Sequence, residues 1–125
     1  MDTSVLLMVI DGFDPIEELR DYYTYEKVEV LVPTAVLNEI KSKANSPRFS
    51  ERSKARVALS YLEAKSGVIQ IVETGEGKTD EVVLKLCKEN GYFLFTADMG
   101  LKNAAKRSGV KVIVPRRGGK TINFI

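Results

Sequence analysis

The sequence predicts a three-layer α/β/α fold, with helices covering both faces of a mostly parallel, Rossmann-like central sheet. Two observations carry this. From residue 28 onward, short apolar runs rich in β-branched residues alternate with longer segments whose apolar positions recur every three or four residues. Such alternation favours right-handed βαβ units, which bury a parallel sheet between helices. The second observation is size: 125 residues with 44% hydrophobic content can bury one proper core but not two. We read residues 1–125 as one domain.

The elements follow in order. In Asp14-Pro15-Ile16-Glu17, a capping oxygen, a first-turn proline and a glutamate three residues on start a helix running to about Tyr23, which makes Asp14 structural. Strands are expected over 29–32, 68–72, 92–96 and 110–114. Helices are expected over 34–42, 50–64, 80–89 and 99–108. Ser50 and Thr79 are candidate N-caps, and Asn90-Gly91 and Gly109 sit where helices hand over to strands. Stretches 41–47 and 73–78 read as loops, and the tail after Arg116 reads as a turn and an edge strand over 121–124.

Composition removes several chemistries. The 19 basic and 17 acidic residues leave a net charge of +2, a weak overall pull toward any anion. With no histidine, the commonest general base and the usual zinc ligand are both absent, so chemistry must rest on carboxylates, hydroxyls or amines. The single cysteine, Cys87, sits at helical spacing from Val83 and Leu84 and reads as core. The longest apolar run, 5–10, is far below the roughly 20 residues needed to cross a bilayer. With no leader pattern at the amino terminus and no disulfide framework, a reducing cytoplasm is the expected setting.

In a parallel α/β sheet, ligands bind beyond the carboxyl ends of the strands, and this rule sorts the acids. Asp98 follows the 92–96 strand by two residues, and Asp80 opens the helix after the 68–72 strand. Glu39 lies six residues past Pro33, about one and a half turns into its helix, from where it can lean over the same edge. Each acid alone is equally readable as a helix-terminal or solvated residue. A shared edge without cationic partners is normally tolerated only when metal ions neutralise it, and oxygen-only ligands suit Mg²⁺ or Mn²⁺.

Four stretches appear in series: Asp2-Thr3-Ser4-Val5-Leu6; Val32-Pro33-Thr34-Ala35-Val36-Leu37-Asn38-Glu39; Thr79-Asp80-Glu81-Val82-Val83-Leu84; and Phe95-Thr96-Ala97-Asp98. With Leu101 and Gly109-Val110-Lys111-Val112-Ile113, they make the chain resemble the PIN-domain family over nearly its whole length. It most resembles compact archaeal stand-alone members, similar to ribosomal-RNA-processing proteins and to toxin nucleases of toxin–antitoxin pairs. The resemblance implies that Asp2, Glu39, Asp80 and Asp98 are the metal-binding and catalytic acids, with Thr96 and Ser4 supporting them through hydroxyl hydrogen bonds. Thr3 and Glu81 are secondary candidates, Glu81 pointing about 100° away from Asp80 on the helix. The family usually carries a full strand before its first aspartate, whereas here only Met1 precedes Asp2. Either a strand lies upstream of Met1, or the 5–10 run takes its place and puts Asp11 at a strand end.

The implied activity is metal-dependent hydrolysis of RNA. Two cations about 4 Å apart can activate a water for in-line attack and stabilise the leaving oxygen; a one-ion variant needs the same acids. For the phosphate backbone the sequence offers Lys41, Lys43, Arg48, Arg52, Lys54 and Arg56, opposed by Glu51 alone, and a second group in Arg116, Arg117 and Lys120. Tyr22, Tyr23 and Tyr25 are read as packing on the core in preference to stacking on bases. The expected partner is RNA, with an antitoxin, a ribosome-assembly factor or a second copy of the chain as further partners the resemblance implies. The rival function is a catalytically inactive PIN-fold RNA-binding or assembly factor. A phospho-acceptor signalling domain also gathers acids at strand ends, but it wants a lysine after a late strand, where this chain has Pro115-Arg116.

Overall fold

Two sets of hydrogen-bonded strands face each other across the amino terminus in the computed structural model, which describes residues 1–23, 27–75, 77–116 and 122–124. Strand β1 (Val30–Pro33) pairs in parallel with β2 (Ile69–Val72), from Val30 opposite Ile69 to Pro33 opposite Val72. Strand β3 (Leu94–Phe95) pairs in parallel with β4 (Val112–Pro115), and β5 (Ile122–Phe124) returns antiparallel to β4.

Met1 and Asp2 join the two sets. The Met1 amine donates to the Leu31 carbonyl at 2.8 Å, and the Asp2 amide donates to the Phe95 carbonyl at 2.9 Å. Successive donors aimed at opposite neighbours are what an extended central strand presents. Residues 1 and 2 are therefore a strand stub, and the sheet runs β2-β1-stub-β3-β4-β5. Toward the starts of β1 and β3 the stub gives way to a slot of about 350 Å³, lined by Val28, Leu31, Leu86, Cys87 and Phe93 among others.

The 5–10 run is no strand. Helix α1 (Thr3–Leu6) and a 3₁₀ turn (Val9–Asp11) occupy it, closed by Gly12 at φ 91°. Val5 and Leu6 are both fully buried, and in a strand, successive side chains would point to opposite faces. Asp11 lies exposed on that turn, so the alternative placing it at a strand end is overturned.

Helix α2 (Pro15–Tyr22) starts as its sequence predicts, with the Asp14 carboxylate accepting from the Glu17 amide at 3.2 Å. The remaining helices are α3 (Thr34–Lys43), α4 (Phe49–Ala64), α5 (Thr79–Asn90) and α6 (Met99–Arg107). Two cap assignments shift. Arg48 occupies the cap of α4 in place of Ser50, its amide bonded to the Ser46 hydroxyl at 3.1 Å, and Lys78 caps α5 so that Thr79 is its first residue. The 92–96 strand contracts to two residues, although the Thr96 amide still donates to the Ile113 carbonyl of β4 at 3.0 Å.

The core lies where helices meet the sheet. Val36 and Ile40 are fully buried one turn apart on α3, and Val32, Val83, Leu94 and Val112 of the strands and α5 belong to the same core. Each such side chain contributes about 1.5–3 kcal/mol through burial. Cys87 belongs to this core, as its spacing predicts, and burial pushes its thiol above the usual range. Tyr23 is half-buried against the core, but Tyr22 is 59% exposed and stacks edge-on against Tyr23, contrary to its expected packing; Tyr25 lies outside the described residues. Among the described residues no helix is long and apolar enough to cross a membrane.

Candidate active site

Parallel strands put their carboxyl ends on one edge, and the chain leaves each strand there to start a helix. The stub ends in Asp2, β1 runs into α3 with Glu39, and β3 is followed by Asp98. After β2, the chain loops into α5, whose second residue is Asp80. Asp2 is buried, Glu39 half-buried, and Asp80 and Asp98 exposed.

Hydroxyls fix the inner part of the edge. The Thr96 and Ser4 side chains each donate to Asp2 Oδ2 at 2.9 Å, and their own oxygens lie 3.2 Å apart. Ser4 Oγ accepts from the Ala97 amide at 2.9 Å, and Thr96 Oγ1 accepts from the Asp98 amide at 3.0 Å. Asp98 Oδ1 accepts from Leu101 N at 2.9 Å, capping α6. A side chain at Gly100 would bring its Cβ to 3.3 Å from that same oxygen, so glycine leaves the carboxylate room. Both hydroxyls are directed at Oδ2 of Asp2, and no hydrogen bond reaches its Oδ1 among the described residues.

The electrostatics join all four acids. Burial, then repulsion from Asp2, Asp98 and Glu39, raises the proton affinity of the Asp80 carboxyl above the usual carboxylate value. The ion pairs formed among the described residues, Arg20–Glu17, Lys43–Glu51 and Lys85–Glu89, leave all four aside. An oxygen-only donor set with unrelieved negative charge fits a hard divalent cation such as Mg²⁺ or Mn²⁺. The acids do not close on one point, however: among the described residues no three such side chains stand close enough to grip an ion together. Like charges set on four separate elements repel, which favours the open arrangement.

The chain matches the model of the family described as "PIN like domain" over residues 1–118. It belongs to the PIN-like domain family. That family generally comprises nucleases. The chain is also similar to a solved structure described as "A domain of a functionally unknown protein from Methanocaldococcus jannaschii DSM 2661". The TM-score is 0.68 at 23% identity, covering 99% of this chain and 94% of that one. At that identity the likeness shows the fold.

This PIN-like domain also has a wall that sequence reading missed. A groove of about 1030 Å³ runs beside Glu39, from Thr79 and Thr74 past Asn38 and Ser42 to Ser46 and Pro47. One side is fastened by two threonines: Thr74 N donates to Thr34 Oγ1 at 2.9 Å, Ala35 N donates to Thr74 Oγ1 at 3.2 Å, and the hydroxyl oxygens lie 3.1 Å apart. Nothing local marks Thr74, which meets Thr34 only through the pairing of β1 with β2. Thr3 is buried, with its hydroxyl unpaired among the described residues, and Glu81 is exposed beside Asp80.

The basic candidates divide. Arg48 and Arg52 stand at the α3–α4 corner near the Pro47 end of the groove, Arg52 Nη1 donating to the Ser46 carbonyl at 3.2 Å. Lys43 is engaged by Glu51 at 2.9 Å. Arg116 follows β4 at the same sheet edge as Asp98 follows β3, its Nε bonded to Asn123 Oδ1 at 2.9 Å. Arg117 and Lys120 lie outside the described residues.

Proposed function

We propose that this PIN-like domain is a Mg²⁺- or Mn²⁺-dependent endoribonuclease whose metal-holding and catalytic acids are Asp2, Glu39, Asp80 and Asp98. The observation that carries the reading is the placement of the four acids along the strand-end edge with no ion-paired cation among the described residues; burial first, and then repulsion from the other three, raises the proton affinity of Asp80. A structural role would favour acids neutralised by cationic side chains, whereas a cation site uses acids left without such partners. When bound, the ion supplies Lewis acidity to the scissile phosphate and lowers the pKa of the attacking water.

The chain's own groups do the positioning. Ser4 and Thr96 hold Asp2 by one oxygen and leave the other for a ligand. The amide of Leu101 orients Asp98 in the same way. The groove beside Glu39 gives a polynucleotide strand a path past that acid toward Arg48 and Arg52, and Arg116 offers a further cation at the sheet edge for its phosphates.

The test is cleavage of single-stranded RNA by purified protein. Activity with Mg²⁺ or Mn²⁺ that EDTA abolishes, and that Asp80→Asn removes while RNA still binds, is the expected result. Binding without cleavage under every ion condition would replace the nuclease reading with that of an RNA-binding or assembly factor.

A further inference from the structure

Among the large apolar side chains that the described fold leaves exposed, Phe49 is the most open, at 74%. It is the first residue of α4, and the corner that presents it is tied down on every side. Ser46 Oγ donates to Glu51 Oε2 at 2.7 Å and accepts from Arg48 N at 3.1 Å, and Lys43 Nζ donates to Glu51 Oε1 at 2.9 Å. Arg52 binds the Ser46 carbonyl and lays its guanidinium 5.5 Å from the centroid of the Phe49 ring. These bonds keep Glu51 ionised, its carboxyl held below the usual range by Ser46 and then Lys43. The ring thus stands on a braced corner, with a cation over one face and most of its surface in solvent.

The Ser46-Pro47 end of the groove reaches this corner, and its other end passes Glu39 and Thr79, the neighbour of Asp80. A single strand leaving the acidic edge along the groove meets Arg48 and Arg52 for its phosphates and an aromatic face for its next free base. We infer that Phe49 is a stacking platform for an unpaired base, and that it makes single-stranded RNA the preferred substrate; this rests on the ribonuclease reading. Stacking needs a base face that a duplex has already used, and an aromatic ring accepts any base in turn. Phe49 then acts as a positioning residue, contributing to binding and leaving the acids' chemistry alone.

The chain contains no tryptophan, so Phe49→Trp installs a single tryptophan at the site, excited selectively at wavelengths the tyrosines do not absorb. With a labelled oligouridine in Mg²⁺, Phe49→Ala should raise KM roughly tenfold at unchanged kcat, while Phe49→Trp restores KM and its emission is quenched as RNA binds. Binding of a duplex of the same length should be the same for both variants. Because Phe49 is exposed, Phe49→Ala should keep the parent Tm, and thermal unfolding checks this. RNA that binds by anisotropy without changing the emission of the introduced tryptophan, or a KM defect that tryptophan does not rescue, overturns the platform and leaves the nuclease standing. Absence of any RNA binding by the parent chain overturns both. Normal RNA kinetics in Phe49→Ala would point to a protein partner at this corner and likewise overturn the inference.

Discussion

The hydroxyl of Thr96 donates to the carboxylate of Asp2 at 2.9 Å, joining residues 94 positions apart in a bond fully shielded from solvent. The same oxygen accepts from the Asp98 amide, so one side chain sets the spacing of two candidate acids. Thr96→Val keeps the shape and removes the hydroxyl, leaving a buried carboxylate oxygen short of a donor and an amide short of an acceptor. Unsatisfied groups of this kind cost about 1–3 kcal/mol each. Urea unfolding of Thr96→Val should show a loss of that order, with cleavage reduced at least tenfold, while Thr96→Ser retains most of both. Equal stability of Val and Thr at this position would show that the bond does not organise the edge.

Asp80 carries a second prediction. Its carboxyl is repelled by Asp2, Asp98 and Glu39, so Asp80→Asn removes a charge from a crowded edge. In EDTA the variant should unfold at the same temperature as the parent or higher. Adding Mg²⁺ should raise the parent's Tm, since an ion at about 100 times its Kd adds about 2.7 kcal/mol to the folded state. In Asp80→Asn that rise should shrink or vanish. Identical thermal shifts for the two proteins would place any bound ion elsewhere.

Away from the edge, Tyr61 clamps the start of α2. Its hydroxyl donates to Asp14 Oδ1 at 2.5 Å and accepts from the Ile16 amide at 3.0 Å. Burial, then the bond to Asp14, pushes the phenol pKa well above its ordinary value near 10. The folded state therefore holds this proton more tightly than the unfolded chain. The stabilisation is complete below about pH 10 and is lost as pH rises past that value toward the folded pKa. Tyr61→Phe should lower stability by about 1–3 kcal/mol at pH 7 and flatten the decline above pH 10, both read from unfolding curves across pH. A parallel alkaline decline in the two proteins would assign it to other groups.

How much of this was legible in the sequence depends on the distance over which each feature is decided. Helices were legible because three- and four-residue spacing is local, and Asp14-Pro15-Ile16-Glu17 encodes a helix start within four residues. The start of α4 slipped because the helix already begins at Phe49, which puts Ser50 inside its first turn, and no side chain caps it. The 5–10 run was ambiguous because a fully buried helical turn and a buried strand are equally apolar, and only tertiary packing of Val5 and Leu6 separates them. Asp98 and Asp80 could be placed by strand-end geometry, whereas Asp2 needed the two bonds that make residues 1 and 2 a strand stub. Thr74 and Phe49 could not be found, since one depends on strand pairing and the other on an absence of covering residues.

That stub supports a final prediction. The Met1 amine is buried, which pushes its pKa below the ordinary value, yet it donates to Leu31 much as a strand amide does. The slot beyond it, between the starts of β1 and β3, is lined chiefly by apolar residues including Val28, Leu31, Leu86 and Phe93. Fusing four or five β-branched residues ahead of Met1 converts a buried ammonium into an amide and offers side chains to the slot, while the backbone nearest Met1 faces the starts of β1 and β3. Such a fusion should raise Tm by roughly 5 °C or more, on the scale of a few degrees per kcal/mol for a chain of this size. A Gly-Ser extension of equal length should give little, because it brings no apolar surface. Proline placed inside the β-branched extension should reverse the gain, because it removes a ladder donor from what would be a central strand. If all three extensions melt together with the parent, the slot does not accept a strand, and the pairing of the two strand sets through Met1 and Asp2 is already as strong as that geometry allows.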